Sequence, residues 1–157
     1  MMQTITTRSE ETFDLGNAFA VKLRAGSTVA LSGELGAGKT VFVRGVCSHF
    51  HALDQVSSPS FIIVNEYAGD IRIVHCDLYR LHGESDMGEI GLEELFASGA
   101  LVLVEWAERA IELLPFPRFE VVFRHGNADD EREITIAEVS RGAESIISVE
   151  RPVERFR

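Results

Sequence analysis

The sequence contains few cysteines and no long apolar run. Cys47 and Cys76 are its two cysteines, and they lack the paired spacing of zinc ligands, so we expect buried, reduced thiols and neither a disulfide framework nor a zinc site. No apolar stretch approaches the length needed to cross a membrane, and residues 1–11 lack the apolar core of a signal peptide. We therefore expect a cytoplasmic protein that does not associate with a membrane.

Positive charge is also scarce. The formal net charge is -10 and the isoelectric point is about 4.9, so the surface as a whole repels phosphate backbones, and autonomous binding of nucleic acid is not expected. The C-terminal residues 142–157 mix both signs of charge, with three arginines among three glutamates. This mixture favours a flexible or docking tail over a segment that binds RNA.

Hydrophobic periodicity and turn signals divide the chain into helices and strands of a single domain, residues 1–157. The predicted elements are a helix from Ser9 to before Gly26, a strand at Thr28–Ser32, a helix from Thr40, a hairpin of residues 61–67 and 71–77, a short helix at 91–96, a strand at 101–104, a helix at 107–114, and strands at 119–123 and 132–137. The apolar run 101–104 is typical of a central strand covered on both faces, whereas the hairpin requires antiparallel pairing. The pattern predicts an α/β fold whose central sheet mixes parallel and antiparallel strands.

A phosphate-binding loop lies between a predicted strand and a predicted helix, as its motif requires. The pattern G-x-x-x-x-G-K-[S/T] is matched by Gly33-Glu34-Leu35-Gly36-Ala37-Gly38-Lys39-Thr40. The loop N–H groups and the helix N-terminus can surround a phosphate, Lys39 can reach the outer phosphates, and the Thr40 hydroxyl can bind Mg²⁺. The chain has one other lysine, Lys22, which argues against a chance match. We therefore predict a P-loop NTPase-like three-layer sandwich.

A P-loop site also needs carboxylates from the ends of neighbouring strands. Glu105 follows the most apolar predicted strand, where P-loop proteins often carry an acid that helps to bind the metal, although Asp is commoner there. Asp77 ends the strand of residues 71–77. For each acid the alternative is a surface carboxylate or a helix cap.

Three further residues lie in or near these motifs. Ser60, in the segment Ser58-Pro59-Ser60-Phe61, either senses the γ-phosphate and Mg²⁺ as part of a switch or belongs to an ordinary proline turn. Trp106 either packs in the core or covers the nucleotide site. His75 is predicted to be a packed strand residue rather than a catalytic base.

Four motifs, taken in order, resemble the TsaE family, formerly called YjeE. They are the loop of residues 33–40 with Arg44-Gly45, then Val56-Ser57-Ser58-Pro59-Ser60-Phe61, then His75-Cys76-Asp77-Leu78-Tyr79-Arg80-Leu81, then Glu105-Trp106-Ala107-Glu108-Arg109. The resemblance covers residues 28–109. Ser60 departs from it, since the family usually has threonine there; serine keeps the hydroxyl but loses the methyl group that stiffens the side chain.

The resemblance implies a Mg²⁺-dependent ATPase, weak without its partners, that assists synthesis of N6-threonylcarbamoyladenosine (t6A) on tRNA. It also implies that the protein acts with TsaB and TsaD, that TsaD carries out the transfer, and that tRNA is contacted only indirectly through the complex. Carried over by motif, Lys39 and Thr40 bind phosphate and Mg²⁺ and Glu105 assists the metal. Asp77 and Ser60 belong, by the same resemblance, to the hydrolytic or switch apparatus.

Two other functions compete with this interpretation. A small-molecule P-loop kinase would pass the γ-phosphoryl group to a substrate hydroxyl, and it would need an arginine-bearing lid; Arg80 and Arg109 are available, but no lid insertion is evident. A GTPase switch is disfavoured because the guanine signal Asn-Lys-x-Asp is absent. Formation of a phosphorylated product would separate a kinase from an ATPase.

Overall fold

The computed structural model describes residues 1–53, 64–81 and 91–148, and within these ranges seven strands form one sheet. The strands are β1 Met2–Thr6, β2 Thr28–Ser32, β3 Val64–Ala68, β4 Arg72–Asp77, β5 Leu101–Glu105, β6 Arg118–His125 and β7 Arg132–Val139. The described helices are α1 Ser9–Phe19, α2 Lys39–His49 and α3 Leu92–Ala97, with 3₁₀ turns at Ala20–Lys22, Ala107–Arg109 and Ile111–Leu113. None of these described helices is long and apolar enough to cross a membrane.

The strand order in the sheet is β1-β7-β6-β2-β5-β4-β3. The four middle strands, β6, β2, β5 and β4, run parallel to one another. Strand β3 pairs antiparallel with β4, and β7 pairs antiparallel with both β6 and β1. The predicted mixed sheet is therefore confirmed, and the carboxyl ends of its parallel strands meet at one edge, where α/β proteins commonly bind ligands.

Helices cover both faces of the sheet. In β2, Val29 and Leu31 face the core under α1 and α2, together with Phe42, whereas Ala30 faces the core under α3 and the two later 3₁₀ turns. Strand β5 alternates in the same way, and all of its residues are buried, which explains its uninterrupted apolar sequence. The predicted three-layer sandwich is confirmed.

Two glycines allow α1 and α2 to pack with their backbones in contact. A Cβ atom on Gly16 of α1 would lie 2.3 Å from the carbonyl oxygen of Phe42, and a Cβ atom on Gly45 of α2 would lie 2.0 Å from that of Phe13. Both distances are shorter than any side chain can tolerate, so glycine is required at both positions. This contact fixes α2, which begins at Lys39, against α1.

We expect Gly45→Ala to destabilise the fold by about 1–3 kcal/mol, because the added methyl group must push α2 away from Phe13. Alanine in an ordinary helix interior would instead stabilise by roughly 0.5–1 kcal/mol, so the sign of the change is diagnostic. Urea unfolding measures the change, with Arg44→Ala at an exposed position of the same helix as the control. A Gly45→Ala protein as stable as the parent would contradict the close contact.

The helix predicted at residues 107–114 does not form as one helix. The segment contains the two 3₁₀ turns, and Ala110 between them has a φ of -139°, outside the helical range. The Arg118 guanidinium donates to the carbonyl oxygens of Ile111 and Leu114, at 3.1 and 2.9 Å. The Arg118 side chain satisfies these carbonyls, so a helical ladder is not needed to pair them.

Other element boundaries also differ from the prediction. The sequence pattern does not predict β1, whose residues are mostly exposed and which forms a strand by pairing with β7. Helix α1 ends at Phe19, earlier than predicted, and a 3₁₀ turn continues to Lys22. The predicted hairpin is confirmed where it is described, since Ala68 pairs with Arg72 across an antiparallel turn. Residues 61–63 of its first strand lie outside the described residues.

The two cysteines lie in the interior of the protein. Cys47 and Cys76 are both free thiols, and burial raises the pKa of each to about 12. A thiol with such a pKa stays protonated at neutral pH and is therefore unreactive. The prediction of buried, reduced cysteines is confirmed.

The described part of the C-terminal segment is fastened to the sheet. The Ser145 hydroxyl and the Ile146 backbone N–H both donate to the buried carboxylate of Glu120, each at 2.8 Å, and Ile147 packs in the core under α3. Residues 145–147 of the segment predicted as a flexible or docking tail are therefore held against the sheet, whereas residues 142–144 and Ser148 are exposed. Residues 149–157 lie outside the described residues.

Candidate active site

The loop between β2 and α2 turns sharply and ends at a helix N-terminus. Gly36 and Gly38 have φ values of 75° and 102°, in the left-handed region that favours glycine. Gly38 immediately precedes α2, an eleven-residue helix that begins at Lys39. A Cβ atom on Gly36 would meet no atom within 4 Å, so the space beside the loop is open. The loop therefore has the shape and the helix dipole that bind an anion.

Lys39 is folded back onto the loop. Its ammonium group donates to the carbonyl oxygens of Gly33 and Glu34, and it lies 4.1 Å from the centre of the Trp106 ring, a cation–π contact. Burial lowers the pKa of Lys39, and the negative charge of Glu105 acts against this effect. The lysine is thus held at the loop by contacts that phosphate oxygens can replace.

Thr40 and Glu105 come together although 65 residues separate them in the sequence. The Thr40 hydroxyl lies 3.0 and 3.1 Å from the two carboxylate oxygens of Glu105, which is almost fully buried at the end of β5. The parallel pairing of β2 with β5 causes this contact, because β2 leads into the loop and β5 ends beside it. The two residues predicted to hold Mg²⁺ are therefore neighbours.

Asp77 ends β4 and lies opposite Glu105 in the strand register. Its carboxylate accepts a hydrogen bond from the backbone N–H of Tyr79 at 2.9 Å. Burial raises the pKa of Asp77; the Tyr79 N–H opposes this shift, and the charge of Glu105 adds to it. Two carboxylates therefore share the edge of the sheet next to Lys39, and the structure brings both predicted acids to the loop.

The oxygen atoms of Thr40, Glu105 and Asp77 fit Mg²⁺, which prefers hard oxygen ligands and usually takes one or two carboxylates together with water and phosphate oxygens. Within the described ranges, no group of three or more His, Cys, Asp or Glu side chains is arranged to hold a metal by itself. The donor set therefore fits Mg²⁺ bound jointly with a nucleotide rather than a closed structural metal site.

A cavity of about 340 Å³ adjoins the loop. Three segments line it: the connection from β1 to α1 with the start of α1, the loop with the start of α2, and the hairpin of β6 and β7. The lining residues are Thr7, Arg8, Ser9, Glu10, Thr12, Gly36, Gly38, Val41, Asp130 and Arg132. Sequence reasoning misses most of these residues, because no motif connects three segments so far apart in the chain.

Trp106 covers the loop lysine. Its φ of 58° is a left-handed value that is uncommon for a residue other than glycine. The Tyr79 ring lies 4.8 Å from the Trp106 ring, and the Arg109 guanidinium lies 5.7 Å from each ring. The ring packs against the core under α3, which is one of the two predicted alternatives, and it also contacts Lys39. The other alternative, that Trp106 covers a bound nucleotide, stays a prediction.

His75 is a packed strand residue, as predicted, and it is also bonded at both ring nitrogens. Nε2 lies 2.9 Å from the Glu105 carboxylate, and Nδ1 lies 3.0 Å from the Tyr67 hydroxyl. Sequence reasoning misses this role; the available signal is that His75 and Asp77, two residues apart on β4, face the same side of the sheet. Ser60 lies outside the described residues, so its role stays a prediction.

We expect Asp77→Asn to raise the melting temperature of the nucleotide-free protein by a few degrees at neutral pH, because the parent must keep a partly buried charge beside Glu105. A carboxyl pKa that is raised on folding means that stability is lost as the pH rises through that pKa, so the advantage of asparagine should shrink towards acid pH. Thermal unfolding in a chelator, from acid to neutral pH, measures this. Asp129→Asn in the exposed hairpin is the control, and a variant less stable than the parent at every pH would refute the prediction.

The fold and the site together define an α/β protein with a P-loop at the carboxyl ends of its parallel strands. Comparison with known protein families assigns the protein more narrowly within this class. The family model described as "Threonylcarbamoyl adenosine biosynthesis protein TsaE" matches residues 6–134. The chain belongs to the TsaE family, which confirms the resemblance seen in the four motifs.

Individual relatives agree with this assignment. Proteins named "tRNA threonylcarbamoyladenosine biosynthesis protein TsaE" are 37% identical in Bacillus subtilis (strain 168), over 90% of this chain and 88% of the relative, and 42% identical in Rickettsia bellii, over 76% and 83%. The protein of that name in Treponema pallidum is 33% identical over 87% of this chain and 100% of its own length. The crystal structure of YdiB from Bacillus subtilis superimposes with a TM-score of 0.72 at 34% identity, over 88% of this chain and 86% of that one.

Proposed function

We propose that this protein is a Mg²⁺-dependent ATPase of the cytoplasm that assists t6A synthesis on tRNA and acts with TsaB and TsaD. The observation that carries the ATPase part is the contact of the Thr40 hydroxyl with Glu105 beside Lys39. The t6A part is supported by family membership, since the relatives named above are called tRNA threonylcarbamoyladenosine biosynthesis proteins. A net charge of -10 supports contact with tRNA through partner proteins rather than directly.

The phosphates of ATP occupy the loop of residues 33–40. Backbone N–H groups of the loop and of the α2 N-terminus donate to phosphate oxygens, and the helix dipole favours their negative charge. Lys39 exchanges the carbonyl oxygens of Gly33 and Glu34 for oxygens of the outer phosphates. Because a phosphate is charged and a carbonyl is not, this exchange strengthens the hydrogen bonds of the lysine.

Thr40 and Glu105 hold the metal, Thr40 through its hydroxyl and Glu105 through its carboxylate or a water bonded to it. Mg²⁺, when bound, neutralises charge that develops on the phosphates. Asp77 orients the attacking water and accepts its proton, since a carboxylate whose pKa is raised by burial is a better proton acceptor than an exposed one. Ser60, assigned to the sensing of the γ-phosphate, belongs to this apparatus by motif alone.

The nucleoside occupies the cavity beside the loop. Its volume of about 340 Å³ falls within the range of about 300–1,000 Å³ that is usual for small-molecule sites. Gly38 and Val41 line it, so it adjoins the residues that receive the phosphates and lies within reach of a nucleotide bound there. Arg132 donates to the carbonyl oxygen of Gly36 at 3.4 Å and ties the hairpin wall of the cavity to the loop.

Hydrolysis of ATP by the purified protein tests the proposed function. It is measured for the protein alone, with TsaB plus TsaD, and for Lys39→Ala, together with a search for phosphorylated small molecules. Binding is followed in parallel through Trp106, the sole tryptophan, because its ring contacts the lysine that must move onto a phosphate. Turnover that rises with the partners and disappears in the variant supports the accessory ATPase.

Two outcomes would contradict it. Turnover that the partners do not change would remove the accessory role and leave a P-loop protein of another pathway. A phosphorylated small molecule would identify a kinase, since hydrolysis of ATP gives ADP and inorganic phosphate and phosphorylates no acceptor.

A further inference from the structure

A chain of hydrogen bonds reaches the proposed metal site from the interior of the sheet. The Tyr67 hydroxyl on β3 contacts Nδ1 of His75 on β4 at 3.0 Å, Nε2 of His75 contacts Oε1 of Glu105 at 2.9 Å, and Glu105 contacts Thr40. The chain therefore crosses three neighbouring strands and ends on α2. The His75 side chain has no solvent exposure and that of Glu105 is 4% exposed, so water does not compete for these bonds.

The direction of these bonds follows from the chemistry of the groups. A carboxylate only accepts hydrogen bonds, so Nε2 of His75 carries the proton and donates a hydrogen bond to Glu105. In the neutral ring, Nδ1 then accepts from the Tyr67 hydroxyl. Burial raises the pKa of Tyr67 to about 12, which keeps its hydroxyl protonated as a donor. Each member thus orients the next, and the final oriented group is the carboxylate of Glu105.

We propose that Tyr67 and His75 are positioning residues that hold the Glu105 carboxylate against the Thr40 hydroxyl and so set the affinity of the site for Mg²⁺, a role that rests on the proposed function. A buried carboxylate without such a partner would turn towards other donors or away from the metal. Hydrogen-bonded partners of this kind typically contribute about 10–100-fold in metal affinity or activity.

Binding of ATP, followed by the fluorescence of Trp106, tests this role when it is titrated with Mg²⁺ and repeated in a chelator. His75→Leu is expected to raise, about 10–100-fold, the Mg²⁺ concentration that gives half of the maximal effect on ATP binding. The ATP affinity measured in the chelator should stay unchanged. His75→Gln should restore most of the loss, because its amide can donate to Glu105 from nearly the same place. Tyr67→Phe, which is nearly isosteric, should give a smaller shift in the same direction.

Ile73→Val is the matched control, since Ile73 is buried on β4 and faces the same core as Tyr67 without joining the chain of bonds. Two results would overturn the positioning role while the parent still binds Mg²⁺ and ATP. One is that His75→Leu loses ATP affinity equally with Mg²⁺ and with the chelator; the other is an unchanged Mg²⁺ requirement in folded His75→Leu. If His75→Leu does not fold, an unchanged Mg²⁺ requirement in Tyr67→Phe overturns it instead. A parent protein without Mg²⁺-dependent ATP binding would overturn the proposed function itself.

Discussion

Replacing Lys39 by alanine is expected to weaken ATP binding about 100-fold or more, because hydrogen bonds to charged groups contribute about 1.5–3 kcal/mol each and the lysine can donate several to the phosphates. The fold should survive the change. Lys39 is a buried cation whose pKa is lowered chiefly by burial, so its removal also removes a desolvation cost. The measurement is the ATP dissociation constant from Trp106 fluorescence or calorimetry, with thermal unfolding to confirm that the variant is folded.

Lys22→Ala is the matched control for this experiment. Lys22 is the other lysine of the chain, and it is exposed in the turn that follows α1, so its loss changes the net charge equally without touching the loop. ATP affinity should stay close to that of the parent. Similar losses in the two variants would mean that overall charge, not the loop, governs binding.

Asp77→Asn separates hydrolysis from binding in the same site. Asparagine keeps the shape and the acceptor for the Tyr79 N–H but cannot take a proton from water. Removal of a general base typically costs about 10²–10⁴ in rate, so turnover should fall by that factor while ATP affinity changes little. Equal losses of binding in Asp77→Asn and Lys39→Ala would refute this division of roles.

The second large effect is expected at a buried ion pair that is not part of the loop. Arg118 and Glu120 are 3% and 0% exposed, and the guanidinium contacts Oε1 of Glu120 at 2.8 Å. The other carboxylate oxygen accepts from the backbone N–H groups of Ile146 and Ile147, at 2.8 and 3.2 Å. One carboxylate thus joins β6 to the C-terminal segment and also pairs with the buried Arg118 guanidinium.

Glu120→Ala is expected to destabilise the fold by about 3–5 kcal/mol, because it leaves the Arg118 charge buried and the Ile146 and Ile147 donors without their acceptor. In a protein of this length such a loss lowers the melting temperature by about 6–20 °C. Cleavage by trypsin after Arg141 should also become faster, since the segment beyond it loses its anchor.

The double variant Arg118→Met, Glu120→Leu tests what causes the destabilisation expected in Glu120→Ala. It removes both charges together, so it should be more stable than Glu120→Ala, as replacement of a whole buried pair costs far less than removal of one partner. Glu138→Ala, an exposed carboxylate on the neighbouring strand, is the control and should change stability by less than about 0.5 kcal/mol. A double variant as unstable as Glu120→Ala would show that the loss comes from the Ile146 and Ile147 donors, which both variants leave without their acceptor, and not from the unpaired Arg118 charge.

Local features of the site were accessible from the sequence. Gly36, Gly38, Lys39 and Thr40 lie in eight consecutive residues, so their pattern, and the strand and helix around it, are visible without knowing the fold. Glu105 could be selected because a doubly covered central strand reads as a continuous apolar run that ends at a polar residue. The absence of a single helix at 107–114 was not accessible in this way, because the Arg118 guanidinium that pairs with the Ile111 and Leu114 carbonyls belongs to β6.

Residues close together in the chain were enough to predict the phosphate-binding loop, the two candidate acids and the mixed α/β architecture. The folded arrangement was needed to show that Glu105 contacts Thr40, that Tyr67 and His75 support it, and that a cavity adjoins the loop. Those relations depend on strand order and register, which place β5 between β2 and β4 and bring together residues far apart in sequence. Strand order is set by how all the apolar faces are buried at once, so no local pattern encodes it.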